Sequence, residues 1–171
     1  MGKSRVIYIT GGQRSGKSVF AEQFVRNLSS NPIYLATANV WDEEMEKRVQ
    51  KHRLRRGKEW QTVEAPLCFD TDFSGRTVLL DCLTMFATNH FFKEDENVEK
   101  SLNKIKAELE KLFSQEDSNF IIVSNEIGLG GVSTNKTQRK FSDLQGMINQ
   151  YVAQKSDEAY MILSGLPIRL K

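Results

Sequence analysis

At 171 residues the chain has the length of one compact α/β domain, enough to bury a genuine core. Hydrophobic residues make up 39% and charged residues 27%, which excludes a disordered chain. Twenty-four basic against 22 acidic side chains leave a net charge of +2, so nucleic acid is not expected as a partner.

In chain order, short β-branched or apolar segments at 6–10, 33–36, 77–80, 120–124 and 160–164 read as strands, and 60–64 as a short extra one. Between them apolar residues recur at helical spacing. Phe20, Phe24 and Leu28 form one stripe, Val98, Leu102, Ile105, Leu109 and Leu112 a second, and Phe141, Leu144, Ile148 and Tyr151 a third. Strands alternating with helices predict a mostly parallel central sheet flanked by helices in a single domain over 1–171. The run Ser164-Gly165-Leu166-Pro167 leaves too few residues for a crossover helix, so a hairpin and an antiparallel C-terminal edge strand at 168–170 are expected. The acidic stretch 93–97 reads as a surface loop. Cys68 and Cys82 are too far apart for a zinc pair and read as small buried side chains. No signal-peptide pattern opens the sequence, and no apolar run reaches the roughly 20 residues that span a bilayer. A cytoplasmic protein without a membrane span is the expectation.

Gly11-Gly12-Gln13-Arg14-Ser15-Gly16-Lys17-Ser18 matches the phosphate-binding G-x-x-x-x-G-K-[ST] motif, and it lies between a strand and a helix as that motif requires. Glycines let backbone N–H groups converge on phosphate oxygens, and the helix N-terminus adds positive potential at the same spot. Lys17 is placed to bridge the outer phosphates and Ser18 to ligate Mg²⁺. The strand 77–80 runs into Asp81, the acid-after-strand pattern of the metal-side carboxylate in such enzymes. The strand 120–124 runs into Asn125-Glu126, where Glu126 could orient or deprotonate an acceptor. Either acid could equally be a solvated turn carboxylate, but ligands of parallel sheets bind at the carboxyl ends of strands.

Residues 42–56 read as a helix with acids in its first turn and bases toward its end, closed by Gly57. Met45, Val49, His52 and Arg56 share one face of it. A solvated charge run and an ordinary core histidine are the plain readings. Beside a phosphate loop, however, neighbouring cations would hold His52 neutral and nucleophilic. His90, without a ligand-spaced partner, reads as structural or surface.

These motifs occur in an ordered series: the phosphate loop; Tyr34-Leu35-Ala36-Thr37-Ala38; Asp42-Glu43-Glu44-Met45; Arg48-Val49-x-x-His52-Arg53-x-x-Arg56; Leu79-Leu80-Asp81-Cys82-Leu83-Thr84; Ser124-Asn125-Glu126-Ile127-Gly128-Leu129-Gly130; and Ser164-Gly165-Leu166-Pro167. From the loop to the last residue the chain resembles the bifunctional adenosylcobinamide kinase and adenosylcobinamide-phosphate guanylyltransferase family. The resemblance implies a RecA-like P-loop fold and two reactions at one nucleotide site. In the first, ATP or GTP phosphorylates the aminopropanol hydroxyl of adenosylcobinamide. In the second, a histidine takes GMP from GTP and passes it to adenosylcobinamide phosphate, giving adenosylcobinamide-GDP. By position His52 is similar to the guanylylated histidine. The implied nucleotide contacts, besides the loop, are Thr37, Ala38, Asn39, Arg53, Leu54, Arg55, Arg56, Glu64 and Asp81. A homo-oligomer, usually a trimer in the family, is implied as well. A monofunctional kinase or guanylyltransferase is the nearest alternative. A GTP-dependent switch is a distant one, its guanine-reading N-K-x-D element only approximated by Asn135-Lys136-Thr137-Gln138.

Overall fold

The computed structural model describes residues 2–40 and 42–171, the side chain of Arg48 excepted. One seven-stranded sheet in the order β3-β2-β4-β5-β1-β6-β7 organises the chain. Its strands are β1 (Arg5–Gly11), β2 (Ile33–Ala36), β3 (Gln61–Glu64), β4 (Thr77–Asp81), β5 (Asn119–Asn125), β6 (Glu158–Leu163) and β7 (Leu166–Arg169). Every neighbouring pair is parallel except β6–β7. The expected hairpin turns on Ser164 and Gly165, at φ 52° and 80°, the double left-handed pair that a tight two-residue turn demands. β6 and β7 each begin two residues earlier than the sequence suggested, because this turn fixes their register.

Among the described residues five helices flank the sheet: α1 (Lys17–Leu28), α2 (Glu43–Arg55), α3 (Leu83–Lys93), α4 (Val98–Phe113) and α5 (Lys136–Lys155). Strand alternation splits the core by face. Val6 and Tyr8 of β1 join Leu80, Phe120 and Ile122 under α3, α4 and α5. Ile7 and Ile9 point the other way and pack with Ala21 and Val25 of α1. The α1 stripe is therefore Ala21 and Val25; Leu28 is exposed, and Phe20 and Phe24 pack at the margin with Tyr160. Helix α3, absent from the periodicity reading, is held by Leu83, Phe86, Ala87 and Phe91, all fully buried. At about 1.5–3 kcal/mol for each large apolar side chain, that burial outweighs a segment of β-branched and aromatic residues with weak helix propensity.

Two further expectations are corrected, and two others stand. Cys68 is exposed, since Phe69 and Phe73 fill the core beside it, and Cys82 is half-buried. The 93–97 stretch is more than a surface loop: Glu94 is buried against Lys104 and Lys100, and Asn97 caps α4 by accepting from the Lys100 N–H at 2.9 Å. Asn135, the first residue of the supposed guanine-reading element, caps α5 by accepting from Gln138 N–H at 3.1 Å. His90 is structural, buried with Nε2 3.0 Å from the Leu67 carbonyl and its ring against Phe86.

Candidate active site

Strand register brings the chemistry to one edge. Gly11 of β1 pairs with Asn125 of β5, and Ala36 of β2 pairs with both Glu64 of β3 and Asp81 of β4. The carboxyl ends of five strands therefore align, and the phosphate loop, residues 37–39, Glu64, Asp81 and Glu126 follow from them or close them.

The loop leaves β1 at Gly11 and enters α1 at Lys17. A Cβ on Gly11 would stand 2.5 Å from the Ile162 carbonyl oxygen and 2.7 Å from Ser15 Oγ, so only glycine fits there. Gly16 caps α1 at φ 98°. Behind it the β6–β7 turn braces the loop, Gly165 N–H donating to the Ser15 carbonyl at 2.8 Å. Lys17 is buried and donates to the Gly12 carbonyl at 2.6 Å; burial lowers its pKa, while Cys82 and Asp81 oppose the fall. Gln13 and Arg14 are exposed at the loop tip.

Asp81 carries only 9% of its side chain to solvent, and its Oδ2 has no hydrogen-bond partner. Burial raises its pKa; His52, the facing Ser18 hydroxyl and Arg56 counter that rise. A buried, unpaired carboxylate oxygen beside the loop serine is a donor set that fits a hard cation also held by phosphate oxygens and water. Among the described residues no cluster of three or more His, Cys, Asp or Glu could hold a metal alone.

Helix α2 delivers His52. Asp42 caps it by accepting from Met45 N–H at 2.8 Å, and Glu43, Glu44 and Glu46 lie in its first turn. It ends at Arg55, one residue earlier than expected, so Arg56 leaves the face of His52. The Arg56 guanidinium instead stacks 3.3 Å above the centre of the Tyr34 ring. Arg55 forks onto the buried Glu22 carboxylate of α1 at 2.7 and 2.8 Å. The imidazole is thereby held with Nδ1 3.9 Å from Asp81 Oδ2 and 3.4 Å from Arg55 Nη2. Its pKa is lowered, as expected, but burial is the largest cause; Arg55 and Arg56 add to it, and Asp81 and Glu22 oppose. Burial therefore favours the neutral form of the ring, the form that can act as a nucleophile.

The other named residues differ in what they can offer. Thr37 is fully buried, its hydroxyl donating to the Cys82 carbonyl at 2.7 Å and its carbonyl accepting from Asn89 at 2.8 Å. Ala38 and Asn39 follow it at the edge. Arg53 and Glu64 face each other at 3.3 Å on the surface, and Leu54 is 87% exposed, away from any contact in the core. Glu126 sits against the loop, its N–H donating to the Gly11 carbonyl at 3.0 Å, and its Oε1 accepts from Gly128 N–H at 2.7 Å.

Four supporting side chains complete the site, of which only Asn149, in the pair Asn149-Gln150 that also marks the family resemblance, stood out in the sequence. Glu22 and Asn89 tie the site's elements together, and Gln145 and Asn149 form a buried network with Ser124 that reaches the Asn125 carbonyl at 3.0 Å. Gln145 carries a further signal, a polar residue on the apolar face set by Phe141 and Ile148.

Comparison with known proteins follows the same edge. A bifunctional adenosylcobalamin biosynthesis protein, CobP, of Pseudomonas aeruginosa is 34% identical over 168 residues, covering 95% of each chain. The bifunctional adenosylcobalamin biosynthesis protein CobU of Escherichia coli is 32% identical over 181 residues, covering 97% of this chain and 99% of its own. Among solved structures, an ATPase of a bacterial type III secretion system superposes with a TM-score of 0.58 at 12% identity, over 92% of this chain and 50% of that one; it shows the shared RecA-like fold alone. No helix of the described residues is long and apolar enough to cross a membrane. The model of one family matches residues 7–170, and the chain belongs to that family, cobinamide kinase / cobinamide phosphate guanyltransferase.

Proposed function

We propose that this chain is a bifunctional enzyme of adenosylcobalamin assembly that runs both reactions at the edge described above. It phosphorylates adenosylcobinamide with ATP or GTP, then moves GMP from GTP through a guanylyl-His52 intermediate onto adenosylcobinamide phosphate. The observation that carries this reading is a half-buried imidazole 3.9 Å from Asp81, beside the phosphate loop, in surroundings that favour its neutral form.

In the first reaction the substrate hydroxyl oxygen attacks the γ-phosphorus and the bond to the β,γ-bridging oxygen breaks. Glu126, seated on the Gly11 carbonyl, is the carboxylate placed to take the hydroxyl proton. Lys17 and the loop N–H groups stabilise the migrating group. In the second reaction Nε2 of His52 attacks the α-phosphorus, because Nδ1 is the nitrogen turned toward Asp81 and Arg55. The P–N bond forms as the bond to the α,β-bridging oxygen breaks, and pyrophosphate leaves into the same loop. Asp81, whose Oδ2 lies 3.9 Å from Nδ1, stabilises the positive charge that builds on the ring. A phosphate oxygen of the corrinoid then attacks the α-phosphorus, the P–N bond breaks, and the imidazole is restored. Ser18 and Asp81 would hold Mg²⁺, which when bound neutralises phosphate charge. A cytoplasmic homo-oligomer, as the family resemblance implies, completes the proposal.

The test is incubation with α-labelled GTP followed by mass spectrometry of the protein. A GMP adduct on His52 is expected, lost in His52→Ala while that variant still phosphorylates adenosylcobinamide; Lys17→Ala should lose both activities. An adduct on another residue, or none, refutes the assignment.

A further inference from the structure

A cleft of about 490 Å³ opens beside this edge and belongs to none of the groups discussed so far. Its floor is Phe91 of α3, fully buried and braced edge-on by Phe92 and Phe141 at 5.4 and 5.5 Å between ring centres. At its mouth three apolar side chains face solvent: Phe92 at 52%, Ile127 at 36% and Val132 at 87% exposure. Clustered exposed apolar side chains around a concavity mark a binding surface. None of the side chains lining it ionises, and its polar groups are neutral hydroxyls and an amide, such as Thr88 and Gln138. A cleft of that chemistry offers no cation to balance a phosphate. It suits a flat apolar ligand fringed with neutral amides.

Its rim is fixed. Arg139 Nη1 donates to the Ser133 and Thr134 carbonyls at 3.0 and 2.8 Å, and Ser133 Oγ donates to Gln138 Oε1 at 2.5 Å. The cleft also continues the active site along the chain, because Ile127 in its wall follows Glu126, whose N–H holds the first loop glycine.

We infer that this cleft seats the corrin-ring edge of the acceptor, with its methyl and carboxamide groups, and so points the aminopropanol arm at Glu126. This rests on the corrinoid being the acceptor, as proposed above. The volume lies within the roughly 300–1,000 Å³ of small-molecule sites, enough for one edge of the macrocycle.

The test uses full-length Val132→Asp, Phe92→Ser and Ser142→Trp, which charge, trim and fill the cleft. Three readouts are needed: the KM for adenosylcobinamide, equilibrium dialysis of dicyanocobinamide, and GMP-adduct formation from GTP without corrinoid. The inference expects a KM and a dialysis constant raised about tenfold or more, equivalent to about 1.4 kcal/mol, with adduct formation and melting temperature as in the parent. Adduct formation intact with an unmoved KM overturns the cleft and leaves the proposed function standing. A changed sedimentation coefficient with unmoved KM overturns it in favour of a contact between copies of the chain. Failure of the parent itself to form the adduct or turn over the corrinoid removes both readings.

Discussion

Replacing Glu22 by Gln tests how His52 is held in place. Its carboxylate, 2% exposed on α1, accepts both bonds of the Arg55 fork, and Arg55 lies three residues beyond His52 on α2. Neither core cluster includes a described residue of α2, and Leu54 stands in solvent, so polar ties rather than apolar burial dock this helix. The Arg56–Tyr34 stack is the other tie, worth ~1–2 kcal/mol, while the exposed Arg53–Glu64 pair adds little. Breaking a fully buried ion pair costs about 3–5 kcal/mol and an exposed one about 0–1. With the Arg55 side chain 36% exposed the cost falls between them. About 1–3 kcal/mol is then expected, which at ~1.4 kcal/mol per decade slows transfer to His52 roughly 5- to 100-fold.

Single-turnover labelling with α-labelled GTP reads that rate, and phosphorylation of adenosylcobinamide, which needs no imidazole, should change far less. Because the cost falls on the seating of α2, the global melting temperature should move by no more than about 12 °C even if it were felt in full. If Glu22 acts only through Arg55, the double variant Glu22→Gln/Arg55→Ala labels no more slowly than the worse single one. Labelling at the parent rate in Glu22→Gln, or an equal fall in both activities, refutes the reasoning.

Two other outcomes follow from the same structure. Gly11→Ala should unfold readily and lose nucleotide, since its Cβ meets the Ile162 carbonyl, whereas a Cβ on Gly12 meets nothing within 4 Å and should leave the melting temperature unchanged; equal melting of the two variants would contradict this. Glu94 has its pKa held below the usual 4.5, first by the Lys104 hydrogen bond and further by Lys100, so its contribution to stability is present above that value and is lost as pH falls through the native pKa. Chemical denaturation of Glu94→Gln should therefore show a deficit at pH 7 that shrinks steadily as the pH falls below 4.5; a gap of constant size across that fall would be evidence against it.

Much of this was legible in the sequence because it is local. The phosphate loop announces itself by spacing, and the strands by β-branched runs that end in glycine or an acid. The run of acids from Asp42 onward marked the start of α2. What escaped depends on tertiary partners. Helix α3 lacks an amphipathic stripe because Leu83, Phe86, Ala87, Asn89, His90 and Phe91 are buried around it, so no period stands out. Arg56 reads as a continuation of the His52 face until Tyr34, twenty-two residues earlier, offers it a ring. Thr37 enters only as a nucleotide contact implied by the resemblance, and nothing local reveals that Cys82 takes its hydroxyl and Asn89 its carbonyl.

The division of the helices between the two faces bears on the order of events at phosphorus. Helix α2 is tied to α1 through Glu22 and to Tyr34, both on the Ile7–Ile9 side of the sheet. The apolar cleft is built from α3 and α5, on the Val6–Tyr8 side. Under the proposed reactions, the imidazole reaches a triphosphate at the strand ends from one face and the corrinoid from the other. In-line displacement requires the entering atom opposite the leaving one. Once pyrophosphate has left, the phosphorus of guanylyl-His52 is open on the side away from α2, the side from which a corrinoid seated in the cleft would approach. A single sheet edge can therefore serve two successive displacements without releasing the GMP group, because nucleophile and acceptor never compete for the same approach.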